Sequence, residues 1–390
     1  MRRLRTASSR HLAVLVATVV ALALGAVGIA QAVGGAGEPA PKPLDQAVLD
    51  AANAPQVDGV TARIKFTNNL LPSGSLPQGS GSPLITGATG RLWLTNDGRA
   101  RVELQSAAGD AQLATDGKTF SIYDASSNTL YKGTIPQHGG KDSQNAAPDK
   151  PLTLDSVKQG IAELGKAWNL SGATPGNTAG QPSYTVRIAP KDDGGLLGAA
   201  ELAWDAARGV PLRAAVYAQG QASPVLELAA TEISYGKIAA SDVTASAPAG
   251  AKVVELNPAS GHDAQGNPAE VHDLDAVQKQ VGFTVTAPAT VAGLPRKDVR
   301  MVRVGGENGA LVNYGQGLGQ IVVFQSKAGT SPAKAPGGLT LPSINIDGAT
   351  GSELATALGT IVTFDRNGVS YVVAGSVPPV AAENAARGLK

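Results

Sequence analysis

Residues 60–67 read VTARIKFT, and this stretch decides the fold class. Its apolar side chains, Val60, Ala62, Ile64 and Phe66, alternate strictly with polar ones. Because successive side chains of a strand point to opposite faces of the sheet, a period of two puts one face against an apolar interior and the other in water. The stretch therefore predicts a β-strand at the boundary of an apolar core.

The same alternation recurs further along the chain, at 100–104, 120–122, 184–188, 200–204 and 212–216. Between the strands lie turn sequences that supply the positive-φ residues of tight hairpins, Asn96-Asp97-Gly98, Asp116-Gly117-Lys118 and Arg208-Gly209. Strands joined by tight turns predict an antiparallel meander with one apolar face.

Two amphipathic helices are predicted beside this sheet. Leu44, Val48, Leu49 and Ala52 fall on one helical face before the first strand. Between the two halves of the meander, Thr153 to Trp168 carries an apolar stripe at helical spacing, with Thr153 as the N-cap. We expect this second helix to lie across the sheet as a cover.

The start of the chain has the pattern of a membrane-targeting segment. Four arginines among the first ten residues precede an uncharged run from Leu12 to Gly37. Its apolar part, Leu12 to Val33, would rise about 33 Å as a helix, enough to span a bilayer with the chain after Glu38 outside. Ala30-Gln31-Ala32 also fits the cleavage rule of signal peptidase. Residues 1–37 are therefore either a retained anchor, which tethers an extracytoplasmic protein to the cytoplasmic membrane, or a cleaved signal peptide of a secreted protein.

Composition excludes several classes of function. A net charge of +1 creates no basic field that would attract nucleic acid. The absence of cysteine excludes disulfides, thiolate metal ligands, thiol nucleophiles and the acylated cysteine of a bacterial lipoprotein. With 48 Gly, 25 Pro and only 4% aromatic residues, the chain favours a sheet protein with many turns.

A polar, turn-rich break at 257–270 predicts a linker between two domains. After the break, strands are predicted at 283–285, 299–304, 311–314, 321–324, 361–364 and 371–373. Short helices are predicted at 274–281 and 352–358, and Arg366-Asn367-Gly368 is expected to be a hairpin turn.

The chain thus divides into a targeting segment at 1–37, a first domain at 38–256, the linker, and a smaller α+β domain at 271–390. Within the first domain, stretches rich in Gly, Pro and Ser are predicted to be loops, at 71–83, 134–151 and 171–182.

The first domain contains the stretches GRLWL at 90–94, QLATDGKTFSIYD at 112–124, YTVRIAPK at 184–191 and VTASAPAGAKVV at 243–254. These four stretches resemble the LolA family of lipoprotein carriers. Their order and spacing match the family over about 43–256, so the resemblance has the length of a domain. It implies an α+β fold, an antiparallel half-barrel covered by helices, whose apolar concave face accepts acyl chains of lipoproteins or lipids.

The two-domain layout also resembles RseB-type envelope-stress regulators. That resemblance implies a protein that senses a lipidic ligand and binds a membrane protein, an anti-sigma factor, through its C-terminal domain. One departure from the carriers concerns the lid. Carriers commonly place an arginine after the G-x-L-W strand to latch it, whereas Asn96 stands here, and Arg99 and Arg101 are the nearby replacements.

A carrier of long methylene chains needs an apolar trough and a movable lid rather than placed acids and bases. The predicted trough lining is Leu92, Leu94, Val102, Leu104, Phe120, Ile122, Val186, Ile188, Leu202 and Trp204. The predicted lid residues are Leu154, Val157, Ile161 and Leu164. A filled sheet core without a cavity is the other interpretation of the same residues.

Sequence patterns of catalysis and metal binding are weak. His262, Asp263, Glu270, His272 and Asp273 cluster around the linker, where solvated polarity is a simpler explanation than a zinc site. The glycines of Gly315-x-Gly317-x-Gly319 lie between two predicted strands, which indicates a tight bend rather than a phosphate loop. Asp192-Asp193 is interpreted as a solvated turn. No metalloprotease, nucleophile-elbow or P-loop motif occurs.

The sequence therefore predicts a binding protein that is not an enzyme and needs no metal or cofactor. The preferred function is extracytoplasmic binding or carriage of a lipid or lipoprotein acyl chain. The alternative is an RseB-like regulator that senses a lipidic ligand and binds a membrane partner.

Overall fold

The computed structural model describes residues 37–71, 82–107, 109–135, 153–191, 195–244, 248–256, 271–304, 307–329 and 341–390. The chain divides into two compact units. The first takes in residues up to Asn69 with Gly79–Asp192 and Gly198–Pro258, and the second takes in Ala259–Lys390 with two short segments, Leu70–Gln78 and Asp193–Leu197.

The first unit is built on a 13-stranded sheet. Its strands are β1 (Gly59–Asn68), β2 (Ala88–Thr95), β3 (Ala100–Ser106), β4 (Gly109–Thr115), β5 (Thr119–Asp124), β6 (Thr129–Thr134), β7 (Trp168–Leu170), β8 (Thr174–Thr178), β9 (Gln181–Pro190), β10 (Leu197–Asp205), β11 (Pro211–Ala218), β12 (Leu226–Tyr235) and β13 (Lys252–Leu256). The order across the sheet is β13-β6-β5-β4-β3-β2-β1-β12-β11-β10-β9-β7, and β8 also pairs with β9. This curled antiparallel sheet is the half-barrel predicted from the sequence.

Strand β1 joins the two halves of the sheet, since it pairs antiparallel with β2 on one side and with β12 on the other. A bulge between Arg63 and Ile64 interrupts the pairing with β12, and bulges bend and twist a strand. The predicted hairpin turns are present, because Gly98 and Gly117 adopt φ of 82° and 83° at the ends of β2 and β4. At the far edge, β13 runs parallel to β6.

Three α-helices are described in the first unit: α1 (Leu44–Ala52), α2 (Pro83–Thr86) and α3 (Leu154–Ala167). The predicted N-cap of α3 is confirmed, since the Thr153 side chain accepts a hydrogen bond from the backbone N–H of Ser156. Helix α3 packs mainly against α1 and β7.

The second unit has an eight-stranded sheet. Its elements are α4 (Leu274–Gln280), β14 (Thr290–Val291), β15 (Leu294–Val304), β16 (Glu307–Tyr314), β17 (Ile321–Lys327), β18 (Ser343–Ile346), β19 (Ala349–Thr356), β20 (Gly359–Arg366), β21 (Val369–Gly375) and α5 (Pro379–Arg387). The order is β14-β15-β16-β17-β21-β20-β19-β18. One face of the sheet forms a fully buried core that includes Val312, Val323, Val362 and Val373.

Three local predictions are wrong. The helix expected at 352–358 is largely strand β19, because Glu353 pairs with Val362 of the sheet and this pairing overrides the helix propensity of its Ala and Leu residues. Residues 283–285 lie outside any strand. Within the loop expected at 171–182, residues 174–178 form β8 and pair with β9.

Several elements were not predicted, among them β12, β18 and α5. The predicted anchor falls almost wholly on residues 1–36, which lie outside the described residues, as does the predicted linker at 257–270. Among the described residues, no helix has the length and apolar character to cross a membrane.

Candidate functional site

Strand pairing places the predicted trough residues of β2, β3 and β5 on one face of the first sheet. Leu92 stands opposite Val102, Val102 opposite Leu113, and Leu113 opposite Ile122. Residues directly opposite each other in a sheet share a face, and so do residues two apart along a strand. Leu94, Leu104 and Phe120 therefore share this face, which we call the apolar face.

The predicted residues of β9 and β10 lie on the same face. On the opposite face, Arg213 of β11 contacts Glu201 of β10 at 2.8 Å and Glu227 of β12 at 2.5 Å. Since neighbours along a strand alternate, Leu202 and Leu228 must point to the other side. Leu228 in turn stands opposite Phe66 of β1, which belongs to the apolar face.

The rest of this group follows by register. Leu202 stands opposite Val186, while Ile188 and Trp204 are two residues further along their strands. All ten predicted trough residues thus share one face of a continuous sheet.

Burial divides these ten residues into two groups. Four are buried: Leu104, Val186, Ile188 and Trp204. Six are half-buried: Leu92, Leu94, Val102, Phe120, Ile122 and Leu202. The apolar face is therefore closed around β9 and Trp204, which we call the closed end, whereas Leu202 and most of the predicted residues of β2 to β5 are incompletely covered.

Part of the apolar face is filled by the protein itself. Ala62, Ile64, Leu104 and Ala111 form a buried cluster against which Leu84 of α2 packs, together with Leu92 and Val102. A second cluster of Val57, Val60 and Val210 contacts Leu94. The filled-core interpretation thus holds for Leu104, whereas Phe120, Ile122 and Leu202 belong to neither of these clusters.

Large apolar residues absent from the predicted lining also lie on this face. Phe66, Leu113 and Leu226 are half-buried, and Leu228 is 39% exposed. The alternation of β1 already indicated Phe66. Leu226 and Leu228 lie in β12, where the segment LELAATEISY carries the same alternation in a weaker form.

The predicted lid residues lie on α3, where Val157 is buried and Leu154, Ile161 and Leu164 are half-buried. Helix α3 approaches α1 through Lys158, whose Nζ lies 3.8 Å from Oδ2 of Asp45. The main contacts of α3 are with α1 and with β7, the strand that directly follows α3 in the chain, so the role of α3 as a lid stays a prediction.

Neither arginine suggested as a lid latch is free to act as one. The Arg99 guanidinium is bonded to the Asp97 carboxylate at 2.8 Å within the β2–β3 turn, and this contact lowers the pKa of Asp97 to about 2. Arg101 is bonded to Glu103, lies 5.6 Å over the Trp93 ring, and points away from the apolar face.

The opposite face carries a compensated charge network around Glu201. Burial opposes ionisation of this carboxyl, but hydrogen bonds from Arg213, Tyr217 and Arg187 hold the pKa of Glu201 below its usual value. Arg187 also lies 4.5 Å over the Tyr217 ring. These contacts join β9 to β12 on the side of the sheet opposite the apolar face.

A small cleft of about 200 Å³ occurs in the second unit, lined by Asp273, Arg296, Lys297 and Asp298 among others. His272 Nδ1 lies 3.3 Å from Oδ1 of Asp298. Within the described part of the chain, no group of three or more His, Asp or Glu side chains could hold a metal ion.

Two further sequence features lie elsewhere. His262, Asp263 and Glu270 of the predicted linker cluster, and Asp192-Asp193, lie outside the described residues. Gly315 and Gly317 adopt φ of 78° and 68° between β16 and β17, which is the tight bend expected there.

No protein-family model matches the chain, and no curated protein matches it. Among solved structures, MucB in complex with MucA(peri) is 17% identical, with 89% of this chain and 96% of that chain covered and a TM-score of 0.41. The Pseudomonas aeruginosa MucA/MucB complex is 16% identical, with coverages of 87% and 95% and a TM-score of 0.42. A LolA superfamily protein from Nitrosomonas europaea is 8% identical, with coverages of 52% and 98% and a TM-score of 0.21.

Both kinds of protein that the sequence resembles, LolA-like carriers and the RseB type to which MucB is assigned, are thus among the similar structures. No enzyme is named among these three structures. At such low TM-scores, the function of this chain has to be inferred from its own residues.

Proposed function

We propose that the first unit binds the acyl chain of a lipid or lipoprotein on its apolar face, outside the cytoplasm, and that it catalyses no reaction. The observation that carries the proposal is a continuous sheet face on which large apolar side chains remain half-buried. Phe120, Ile122 and Leu202 lie on it, and Leu228 is 39% exposed. Contiguous exposed apolar patches on soluble domains usually mark a binding site.

The energetics favour a long apolar ligand. Each methylene group transferred from water to an apolar surface contributes about 0.8 kcal/mol, so a chain laid along several strands gains far more than a compact ligand would. Adjacent strands lie about 4.8 Å apart, so the four intervals from β10 to β2 span about 19 Å along the sheet. A long acyl chain fits that span and needs few polar partners.

Co-purification tests this function. We expect organic extracts of the natively purified ectodomain to contain acyl lipids when analysed by mass spectrometry. Phe120→Glu, which places a charge on the apolar face, should abolish lipid retention. Ser121→Glu is the matched control, because Ser121 lies next in β5 on the opposite face, and it should retain lipid. Equal retention by both variants, or no lipid in the wild-type extract, would refute the proposal.

A second candidate is a regulatory protein whose second unit binds a membrane protein. It is favoured by apolar residues on the sheet face opposite the buried core, where Leu311 stands opposite Phe324 and Phe324 opposite Val372. Ile361 is 40% exposed. Recovery of one defined membrane protein with the chain, reduced by Ile361→Glu, would favour this candidate, whereas recovery of lipid alone would favour the carrier.

The location of the protein is part of the proposal. We propose that residues 1–37 direct the chain across the cytoplasmic membrane and remain as a tether, with the domains at 38–256 and 271–390 outside. Mass spectrometry of the intact protein from membranes decides between a tether and a cleaved signal peptide. A mature chain that begins shortly after Ala32 would contradict the tether.

A further inference from the structure

The indole N–H of Trp204 is a buried donor without an acceptor. Trp204 is 5% exposed, and among the described residues its Nε1 has no hydrogen-bond partner. Most buried polar groups in folded proteins are hydrogen-bonded, because a buried donor that has lost water and gained nothing in return is costly. The other buried side-chain atoms without partners in the described chain all belong to residues of the second unit.

The neighbour of Trp204 does not share this condition. Tyr184 stands opposite Trp204 on β9, with the two ring centroids 6.2 Å apart. The Tyr184 hydroxyl donates a hydrogen bond of 2.5 Å to the carbonyl oxygen of Ala40. The closed end of the apolar face therefore carries two polar aromatic groups, of which one is satisfied by the protein and one is not.

We propose that the Trp204 N–H donates to the acyl carbonyl oxygen of the bound ligand, so that the ligand is an ester- or amide-linked acyl chain and not a plain hydrocarbon. This inference rests on the proposed acyl-chain function and adds the orientation of the ligand. The carbonyl lies at the closed end beside Trp204. The tail runs past Leu202, two residues earlier on the same face of β10, toward Leu228 and Phe66 on the less covered part.

The position of Trp204 also indicates what must move for the carbonyl to enter. Ala40, which accepts the hydrogen bond from Tyr184, lies four residues before α1. At the other end of α1, the β10–β11 turn packs so closely that a Cβ on Gly209 would lie 2.3 Å from the Ala51 carbonyl oxygen. The segment from Ala40 to Ala52 thus contacts both sides of the closed end, and we expect it to be displaced during ligand exchange.

The test compares ligands with and without a carbonyl on the full ectodomain. Methyl palmitate and hexadecane are the probes, and displacement of a hydrophobic dye from the stripped protein gives their affinities. In Trp204→Phe, the preference for the ester over the alkane should fall about tenfold, the loss of roughly one hydrogen bond. Trp93→Phe is the matched control, since Trp93 lies next to Leu92 in β2 and therefore points to the face opposite the apolar face.

Because a smaller ring leaves a cavity, a second variant replaces Trp204 with its sulfur isostere, benzothienylalanine, which has the same shape and no N–H. The ester preference should fall in this variant as well. An ester preference that is unchanged in both variants overturns the inference. A wild type that binds hexadecane as tightly as methyl palmitate overturns it as well. Both results leave the proposed acyl-chain function intact. A wild type that binds neither probe defeats the function itself.

Two natural sources of an acyl carbonyl remain, a glycerolipid and an acylated lipoprotein. The same comparison with a diacylglycerol and with a diacylated lipopeptide distinguishes them. Binding of either that depends on Trp204 supports the inference, and binding of both that is independent of Trp204 contradicts it.

Discussion

Leu228 of β12 stands directly opposite Phe66 of β1 on the apolar face, at the junction where the two halves of the first sheet meet. Phe66 is half-buried against the core, whereas Leu228 is 39% exposed. A leucine left this accessible on a sheet face contributes little to folding. Its position between the half-buried residues of β2 to β5 and Leu202 of β10 would put it in the path of the proposed acyl chain.

Leu228→Glu should weaken acyl-chain binding at least about tenfold, because it sets a charge against methylene groups that must lose water. The free energy of unfolding should change by less than about 1 kcal/mol, since the side chain is exposed. Ser234→Glu, exposed on the opposite face of the same strand, is the control. Dye displacement and urea unfolding measure the two quantities, and a variant that binds as the wild type does would remove β12 from the site.

Leu104→Ala should act on stability and not on binding. Leu104 is 4% exposed within a packed cluster, and deletion of such a side chain costs about 2–5 kcal/mol. All three tryptophans, Trp93, Trp168 and Trp204, belong to the first unit, so their fluorescence reports its urea unfolding. Affinity for the acyl ligand should stay within about twofold at low urea, since Leu104 packs against protein. A loss of affinity greater than the unfolded fraction of the variant explains would show that Leu104 contacts the ligand.

Lys158→Glu tests whether α3 covers the closed end. The substitution brings a negative charge toward Asp45 on α1, where an attractive contact of 3.8 Å now exists. Surface ion pairs contribute at most about 1 kcal/mol, so we expect a modest, several-fold increase in the rate of ligand release. The double variant Asp45→Lys with Lys158→Glu should restore most of the wild-type rate. Stopped-flow transfer to vesicles measures the rate, and identical release by all three proteins would argue against a cover formed by α1 and α3.

The second unit should become less stable as pH rises above the carboxyl range. Burial, and then the nearby Glu383 carboxyl, raises the pKa of Glu353 above the ordinary value of 4.5 for a glutamate. A raised pKa means that the folded state binds the proton more tightly than the unfolded state does. The contribution of protonated Glu353 to the free energy of unfolding is therefore complete below pH 4.5. It is lost as the pH rises through the pKa that Glu353 has in the folded state.

Glu353→Gln should remove this loss, because the amide stays neutral while the charge of Glu383 keeps its 2.5 Å contact with Arg387. Hydrogen exchange of the α5 peptide, corrected for intrinsic rates, measures the effect. We expect higher protection in the variant than in the wild type at pH 7 and little difference at pH 4.5. Equal protection at both pH values would show that Glu353 does not titrate within the folded unit.

The strands were predictable wherever period-two alternation was uninterrupted. Residues 60–66 show this best, because apolar and polar side chains alternate without exception there. The helix prediction for the segment SELATALG at 352–359 failed. Leu and Ala favour a helix locally, but pairing with β20 makes most of the segment a strand. Pairing partners distant in sequence are not visible to a local pattern.

The division of the site into lining and packing residues was not predictable. Leu92 and Leu104 have the same alternation as Phe120, yet Leu104 is enclosed because Leu84 arrives from helix α2. The sequence predicted Trp204 as an apolar lining residue. It could not predict the unpaired N–H of Trp204, because that depends on which acceptors the fold brings near the indole. Sequence gives the face on which a side chain lies, and tertiary packing decides what covers it.

Photo-crosslinking with a palmitoyl ester that carries a diazirine at the end of its chain measures most directly where a ligand lies. If an acyl chain occupies the apolar face with its carbonyl at Trp204, saturable labelling should map to side chains of that face in β1, β2 and β12, including Phe66, Leu92 and Leu228. Excess methyl palmitate should suppress it. Labelling spread equally over both faces of the sheet, or labelling that does not saturate, would contradict an acyl-chain site on this sheet.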